Sequence, residues 1–275
     1  MMAGRRGTIL AHAVTTVFAF LSVYPLINLI AIAMRKPGSL VGSVPLLPDR
    51  LSFENFSRAW SEAHLGPAFV TSCEIAVLSV VLTVVVAVMA GYAFGTMRFP
   101  GSELIFGILL LGLVIPTEAQ VVPLYYDLRS VGLTNTIWGV VLPQTAAGIA
   151  FGTFWMRSFF ASVPREITEA ALVDGARTRS VLWTVLLPTA RPAVQTLALL
   201  VFLSSFNDFL LPLIMLQGEG LQTVPLTVAS YQGPHLTDQT GVAAVALLAC
   251  IPVVLVFLAL QRRLIEGLTA GAVKG

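Results

Sequence analysis

The chain has 275 residues, of which 56% are hydrophobic and only 11% are charged, and its mean hydropathy is +0.87. Water-soluble domains carry about 25% charged residues, so this composition excludes both a soluble domain and a disordered chain. The formal net charge of +2 is too small to indicate a nucleic-acid-binding surface. The sequence therefore predicts a protein that lies in the lipid bilayer.

Several segments are apolar over the roughly 20 residues that a helix needs to cross a bilayer. Five of them are plain, and in chain order they are 9–33, 69–94, 136–154, 194–216 and 240–260. A sixth segment, 104–122, is apolar in its first half, but Pro116, Glu118 and Pro123 interrupt its second half. We therefore predict an all-α membrane protein with six transmembrane helices.

The basic residues favour a topology with both termini in the cytoplasm. Six spans place eleven of the 16 Lys and Arg residues inside and five outside, as cytoplasmic loops prefer. An alternative with five spans, which omits 104–122 and exports the N-terminus, divides them twelve to four. That alternative puts Arg5 and Arg6 outside and leaves the apolar run 105–115 unexplained. The run 7–34 is also too long for a signal peptide, so we expect it to be retained as the first span.

The predicted organisation has three parts. Residues 1–67 hold the first span and an outer loop, 68–262 hold five further spans, and 263–275 form a cytoplasmic tail. The outer loop is polar and aromatic from Ser52 to Trp60, which predicts a short amphipathic helix. Disulfides and metal ligands are not indicated, because the cysteines lie in apolar runs and the histidines are far apart in sequence. These residues are Cys73, Cys250, His12, His64 and His235.

The most informative segment is the predicted cytoplasmic loop 157–192. Pro164 suits the first turn of a short helix over 165–174. Gly175 then stands where a helix commonly ends in the left-handed conformation. The local sequence therefore predicts a short helix followed by a tight turn.

A second helical stretch is expected over 178–187, before Pro188 and Pro192 break the chain. Together the two stretches predict a helix–turn–helix at the inner membrane surface, between the fourth and fifth spans. Nothing in it combines a nucleophile with a partnered base. It is therefore either a docking surface for another protein or an amphipathic hairpin resting on lipid headgroups.

One string in this loop resembles the "EAA" loop of ABC importer permeases. Glu169-Ala170-Ala171 is followed after three residues by Gly175, and after nine more by Val185-Leu186-Leu187-Pro188. The family pattern has Ile where this chain has Val185, which is a conservative difference. Further segments resemble the carbohydrate-uptake branch, and within it the six-span second permease of maltose-type systems. They are 123–125, 132–136, 174–176 and 267–275.

The resemblance implies an ATP-driven importer of a sugar or sugar-like solute, in the bacterial inner membrane. The expected partners are a homologous second permease, two ATP-binding subunits and an extracytoplasmic solute-binding protein. ATPase coupling would fall on Glu169, Ala170, Ala171, Asp174, Gly175 and Pro188, with Gly271 and Lys274 of the tail also reaching the ATPases. The chain contains no Gly-x-x-x-x-Gly-Lys-[Ser/Thr] phosphate loop. We therefore expect a subunit without enzyme activity, without a cofactor or metal of its own, and with ATP and Mg²⁺ on the partner ATPases.

Four polar residues in or beside the predicted spans are candidates for the solute pathway: Glu118, Gln144, Asn207 and Asp208. A charged residue at mid-span costs about 2.5–3.5 kcal/mol on insertion scales, so such residues usually face a cavity or a partner. Asn207-Asp208 resembles the Trp-Asn-Asp/Glu element of the family, with Phe206 in place of the Trp. These two residues could bind sugar hydroxyls or connect neighbouring helices, and Gln144 is typical of an interhelical hydrogen bond.

Two other classes of protein must be weighed against this interpretation. The alternative hypothesis is an ion-coupled secondary transporter that uses Glu118 or Asp208. It would leave the long loop 157–192 without a role. An intramembrane enzyme would need His-Glu-x-x-His or paired aspartates on facing helices, and the sequence offers neither pattern.

Overall fold

The computed structural model describes residues 5–39, 51–218, 220–231 and 238–272. These residues form helices and connecting segments without strands, which confirms the predicted all-α class. The helices are α1 (Arg5–Ala33), α2 (Glu54–Glu62), α3 (Leu65–Thr96), α4 (Ser102–Val114), α5 (Thr117–Ser130), α6 (Trp138–Ser162), α7 (Arg165–Val173), α8 (Thr178–Phe206), α9 (Leu210–Met215), α10 (Val224–Ser230) and α11 (Gln239–Ala272).

Two compact units make up the chain. The first unit comprises the described residues of Met1–Gly66 and Thr227–Ile251, and the second those of Pro67–Leu226 and Pro252–Gly275. Within the first unit, the Asn55 amide of α2 donates to the carbonyls of Ala33 and Arg35, at 2.8 and 2.6 Å. These bonds satisfy carbonyl groups that the end of α1 leaves without helical partners.

A polar cluster precedes α11 in the first unit. The Thr240 hydroxyl donates to Asp238 at 2.6 Å, the Gly241 N–H donates at 3.0 Å, and Arg58 lies 3.4 Å away. Partial burial alone would raise the pKa of Asp238. These donors and the Arg58 charge outweigh that effect and hold the pKa of Asp238 below its usual value. The short helix predicted after the first span is also present, because α2 covers Glu54–Glu62.

Within the described part of the chain, four helical stretches are long and apolar enough to cross a bilayer: Leu10–Ala33, Leu65–Thr96, Thr178–Phe206 and Gln239–Ala259. Helices α4 and α5 form a fifth candidate, but they meet at a 99° bend instead of forming one straight span over 104–122. The bend lies at Pro116, which cannot donate a helical hydrogen bond and disfavours helix in the preceding residue. The segment 104–122 is therefore broken at Pro116, where its sequence has its first predicted interruption, and the bent pair counts as one candidate span.

Helix α8 also differs from the prediction made for its sequence. It runs without a break for 29 residues, so Pro188 and Pro192 do not interrupt it. A π-helical turn, Val181–Leu186, precedes Pro188, and the Leu187 N–H bonds to the Leu182 carbonyl. This wider turn shifts the hydrogen-bond register just before a residue that has no N–H to donate. The predicted span 194–216 is also wrong, because α8 ends at Phe206 and α9 follows separately.

In the second unit, α3, α6 and α8 pack around a buried cluster that includes Tyr92, Phe160, Leu186 and Leu197. Glycines permit the close approach of α3 and α6. A Cβ atom added to Gly152 would lie 2.7 Å from the Cβ atom of Ala87. The other glycines of this contact oppose side chains in the same way. They are Gly91 against Met156, Gly95 against Phe160 and Gly148 against Thr83.

Candidate functional site

The helix α7 ends in a tight turn built by backbone hydrogen bonds. Gly175 has φ = +85°, the left-handed conformation that glycine adopts without strain. Its N–H donates to the Leu172 carbonyl, and the Ala176 N–H donates to the Ala171 carbonyl, both at 3.0 Å. This pair of bonds is the Schellman motif. The helix and turn predicted around Gly175 are therefore present.

The three residues of the Glu-Ala-Ala string have different surroundings. Ala171 is half-buried and packs with Ala176 against the cluster beneath the turn, as the Schellman motif favours. Glu169 and Ala170 are exposed. Apolar side chains are also exposed nearby, with Val173 87% and Trp183 49% accessible. Within the Glu-Ala-Ala string, Ala171 therefore packs beneath the turn, whereas Glu169 and Ala170 are exposed and accessible to a partner protein.

The start of α8 is fixed to the interior of the second unit. The Tyr92 hydroxyl of α3 donates to the Thr178 carbonyl at 3.3 Å. One turn later, Val181, Leu182 and Leu186 are fully or nearly fully buried. Burial on this scale fixes the start of α8 in the interior of the second unit.

At its other end, α8 reaches a cavity of about 600 Å³ within the second unit. Its walls come from α4, α5, α6, α8 and α9, and most of them are apolar. Polar side chains from three of these segments and from the break after α8 also line it. They are Thr117, Gln120, Gln144, Ser204, Ser205 and Asp208.

A hydrogen-bond network centred on Gln144 connects the helices around this cavity. The Gln144 amide Nε2 donates to Asp208 Oδ2 at 2.9 Å. Its Oε1 accepts hydrogen bonds from the hydroxyls of Ser205, at 2.6 Å, and Ser79, at 3.1 Å. The second carboxylate oxygen of Asp208 accepts the Leu211 N–H at 3.3 Å. The network thus gives each oxygen of the Asp208 carboxylate a hydrogen-bond donor.

The structure brings Gln144 and Asp208 together but separates the other two pathway candidates from them. Asn207 is exposed and its amide donates to the Leu203 carbonyl of its own helix, at 2.7 Å. Glu118 is exposed in the first turn of α5 and does not line the cavity. Of the two tail residues, Gly271 lies within α11, and Lys274 is outside the described residues.

Several lining residues were missed in the sequence analysis, among them Gln120 and Ser204. Serine is common in apolar helices, so Ser79 and Ser205 gave no distinctive signal. Gln120 follows the break at Pro116, and its amide donates to the Ile115 carbonyl at 3.1 Å. A glutamine beside a proline break at membrane depth was the one signal that could have identified it.

Known proteins of related sequence match nearly the whole chain. Residues 84–269 match a family described as "Binding-protein-dependent transport system inner membrane component". The diacetylchitobiose uptake system permease protein NgcG of Streptomyces coelicolor is 31% identical over 97% of this chain and 89% of its own. The trehalose transport system permease protein SugB of Mycobacterium tuberculosis is 32% identical, with both chains fully covered. The trehalose/maltose transport system permease protein MalG of Thermococcus litoralis is 33% identical over 94% of this chain and 93% of its own.

A solved structure has the same fold. It is a chain from the crystal structure of a bacterial ABC transporter involved in the import of the acidic polysaccharide alginate. The two chains superpose with a TM-score of 0.81 over 95% of this chain and 99% of the other, at 23% sequence identity. At this identity the likeness supports the arrangement of helices and carries no information on the solute.

Proposed function

The chain belongs to the family of binding-protein-dependent transport system inner membrane components, and we propose that it is a permease subunit of an ATP-driven importer of a sugar or sugar-like solute. The names of its relatives, which include transport systems for diacetylchitobiose, trehalose and maltose, support this solute class. A homologous permease would complete the pathway, two ATP-binding subunits would hold ATP and Mg²⁺, and a binding protein would deliver the solute.

The observation that carries the proposal is the continuity of α8. This helix begins three residues after Gly175 and ends two residues before Asp208. At 1.5 Å per residue, 29 residues span about 43 Å, which exceeds the thickness of the hydrocarbon core. A displacement imposed by an ATPase at the turn would therefore reach the cavity through one helix. Coupling between distant sites requires such a shared element.

The proposed topology has six crossings and both termini in the cytoplasm. The crossings are α1, α3, the bent pair α4–α5, α6, α8 and α11. Helix α6 is 25 residues long, although Pro143, Gln144 and its glycines make it less apolar than the others. The loop 157–192 then faces the cytoplasm, where Glu169 and Ala170 could contact an ATPase subunit.

For the solute, we propose that the 600 Å³ cavity forms part of the pathway. The hydrogen bond between Gln144 and Asp208 orients the carboxylate before any solute binds. Gln120, Thr117 and Ser204 add donors and acceptors of the kind that sugar hydroxyls bind. Ion coupling through Glu118 or Asp208 has less support, because the chain belongs to a family of binding-protein-dependent transport components.

A charge reversal at Glu169 tests the docking part of the proposal. We expect Glu169→Lys to weaken the binding of the ATPase subunits by about 30-fold or more, and so to lower the yield that co-purifies with the permease, because losing one partner of an interfacial charge pair costs on the order of 2 kcal/mol or more. Asp127→Lys, at another exposed helical position, is the matched control and should leave the yield unchanged. Equal recovery of the ATPases with both variants would contradict docking at Glu169.

A further inference from the structure

A second cavity, of about 470 Å³, lies in the second unit where α3 and α6 end and where α4 and α7 begin. Three arginines line it: Arg98, Arg157 and Arg165. Glu103 is the one acidic residue among the lining residues, so the cavity has an excess of positive charge. Neither the solute cavity nor the turn at Gly175 accounts for this concentration of arginines.

One of the three arginines is held in place by the protein itself. Arg157 Nη2 lies 3.2 Å from Glu103 Oε1, and Arg157 Nε donates to the Phe94 carbonyl at 3.4 Å. Its guanidinium carbon lies 4.0 Å from the centroid of the Phe106 ring, within cation–π range. Arg157 is therefore a fixed wall of the cavity.

The other two arginines differ from Arg157 in their contacts. Arg98 and Arg165 are exposed and have no ion pair among the described residues. They come from separate segments, the turn after α3 and the first residue of α7. Because Glu103 is engaged by Arg157, the cavity offers two arginines to an incoming anion. Guanidinium groups bind phosphate oxygens in bidentate fashion, which suits a phosphate ligand.

The rim of the cavity is apolar as well as cationic. Phe154 and Met97 line it and are exposed, at 48% and 38% accessible. In a bilayer these side chains would contact acyl chains. A ligand that matches both features has an anionic phosphate at one end and hydrocarbon at the other.

We propose that this cavity binds the headgroup of an anionic phospholipid, with the phosphate between Arg98 and Arg165 and an acyl chain against Phe154. In the proposed topology the site faces the cytoplasmic leaflet, where basic clusters select anionic lipids. A free phosphate group shares the headgroup chemistry but would gain nothing from the apolar rim. The inference does not require that the solute is a sugar.

The test uses the purified transporter complex and native mass spectrometry with added phosphatidylglycerol or phosphatidylcholine. We expect phosphatidylglycerol to bind the wild type more tightly than phosphatidylcholine. The double variant Arg98→Gln/Arg165→Gln should bind phosphatidylglycerol about 30-fold more weakly, because each arginine near an anionic lipid contributes roughly a factor of five. Arg98→Lys keeps the positive charge but loses the bidentate geometry, so it should bind phosphatidylglycerol more weakly than wild type and more tightly than Arg98→Gln. Arg191→Gln, an exposed arginine of α8 outside the cavity, is the matched control and should behave as wild type.

Four results would overturn the proposal. Equal affinity for the two lipids, or unchanged phosphatidylglycerol binding in the double variant, would exclude a headgroup site. Competition by inorganic phosphate alone, as effective as by the lipid, would assign the cavity to a free anion. Loss of ATPase subunits from the double variant with lipid binding intact would assign it to a protein interface. These readouts measure lipid binding directly, so they stand apart from any failure of transport.

Discussion

At the scale of single residues, Gln144 has the most demanding position in the cavity. Its side chain donates to Asp208 and accepts from Ser79 and Ser205, so one amide connects α3, α6 and α8. Removing a member of a satisfied polar network leaves the remaining groups without their partners in the protein. The effect of Gln144 should therefore exceed that of an isolated hydrogen bond.

We expect Gln144→Leu to reduce solute transport by at least about tenfold and to lower stability by about 1–3 kcal/mol, because Asp208 loses its side-chain donor. Transport in reconstituted vesicles and thermal unfolding of the purified complex measure the two effects. Asn207→Ala is the control, since its amide bonds only within its own helix, and it should change stability by about 0.5 kcal/mol or less. Equal behaviour of the two variants would refute a special role for Gln144.

The sequence made part of this network predictable. Gln144 and Asp208 stand out because they interrupt apolar segments, and an isolated polar residue in a span predicts a partner or a cavity. Their mutual hydrogen bond joins residues 64 positions apart, and no local pattern encodes such a pairing. For the same reason, the sequence could not exclude Asn207. Its side chain bonds to the Leu203 carbonyl, whereas that of the neighbouring Asp208 bonds to Gln144.

At the scale of helices and turns, two turns share one geometry. Gly132 has φ = +72° and donates to the Arg129 carbonyl at 3.1 Å, which matches the arrangement at Gly175. The Leu133 N–H completes a second Schellman motif at the end of α5, with the Leu128 carbonyl at 2.9 Å. The chain therefore contains an internal control for the turn that we assign to ATPase coupling.

We expect Gly175→Pro to uncouple ATP hydrolysis from transport. Proline fixes φ near −65° and removes the N–H, so it cannot maintain the motif that positions α7 against α8. The number of ATP molecules hydrolysed per solute transported measures coupling and should rise several-fold. Gly132→Pro imposes the same local defect away from loop 157–192 and should leave this ratio unchanged. A normal ratio for Gly175→Pro, in protein that inserts correctly, would contradict the assignment.

The contact between α3 and α6 supports a separate prediction on stability. Gly152→Ala places a Cβ atom 2.7 Å from that of Ala87, and overpacking of this kind costs about 1–3 kcal/mol. Gly107→Ala, in α4, meets no atom within 4 Å and should be neutral or slightly stabilising, because alanine favours helix over glycine. Thermal unfolding of the two variants checks the difference. A Gly152→Ala variant as stable as Gly107→Ala would show that the helices separate without cost.

Local signals explain which elements could be predicted. Pro164 and Gly175 act on their immediate neighbours, so the sequence located α7 and its turn correctly. Pro188 was misread as a break because its effect depends on the π-helical turn before it, and Pro192 lies inside the same continuous helix. That turn is held by the burial of Val181, Leu182 and Leu186 against other helices, a condition that a local reading of proline cannot include.

At the scale of the whole molecule, the second unit combines three features along one helix. The exposed part of the Glu-Ala-Ala string lies just before α8, the buried cluster holds its first turns, and the solute cavity surrounds its last residues. Composition predicted a membrane protein and the resemblance predicted its class. The physical connection between turn and cavity became visible only when α8 was found to be continuous.

The most direct test asks whether ATP acts on the cavity through α8. A Ser204→Cys variant, in a background with Cys73→Ser and Cys250→Ser, places one thiol at the cavity wall. In the complete transporter, we predict that ATP binding changes the rate at which a polar thiol reagent modifies this cysteine, and that adding Gly175→Pro abolishes the change. A rate that is the same with and without ATP, in a complex that hydrolyses ATP normally, would contradict the account.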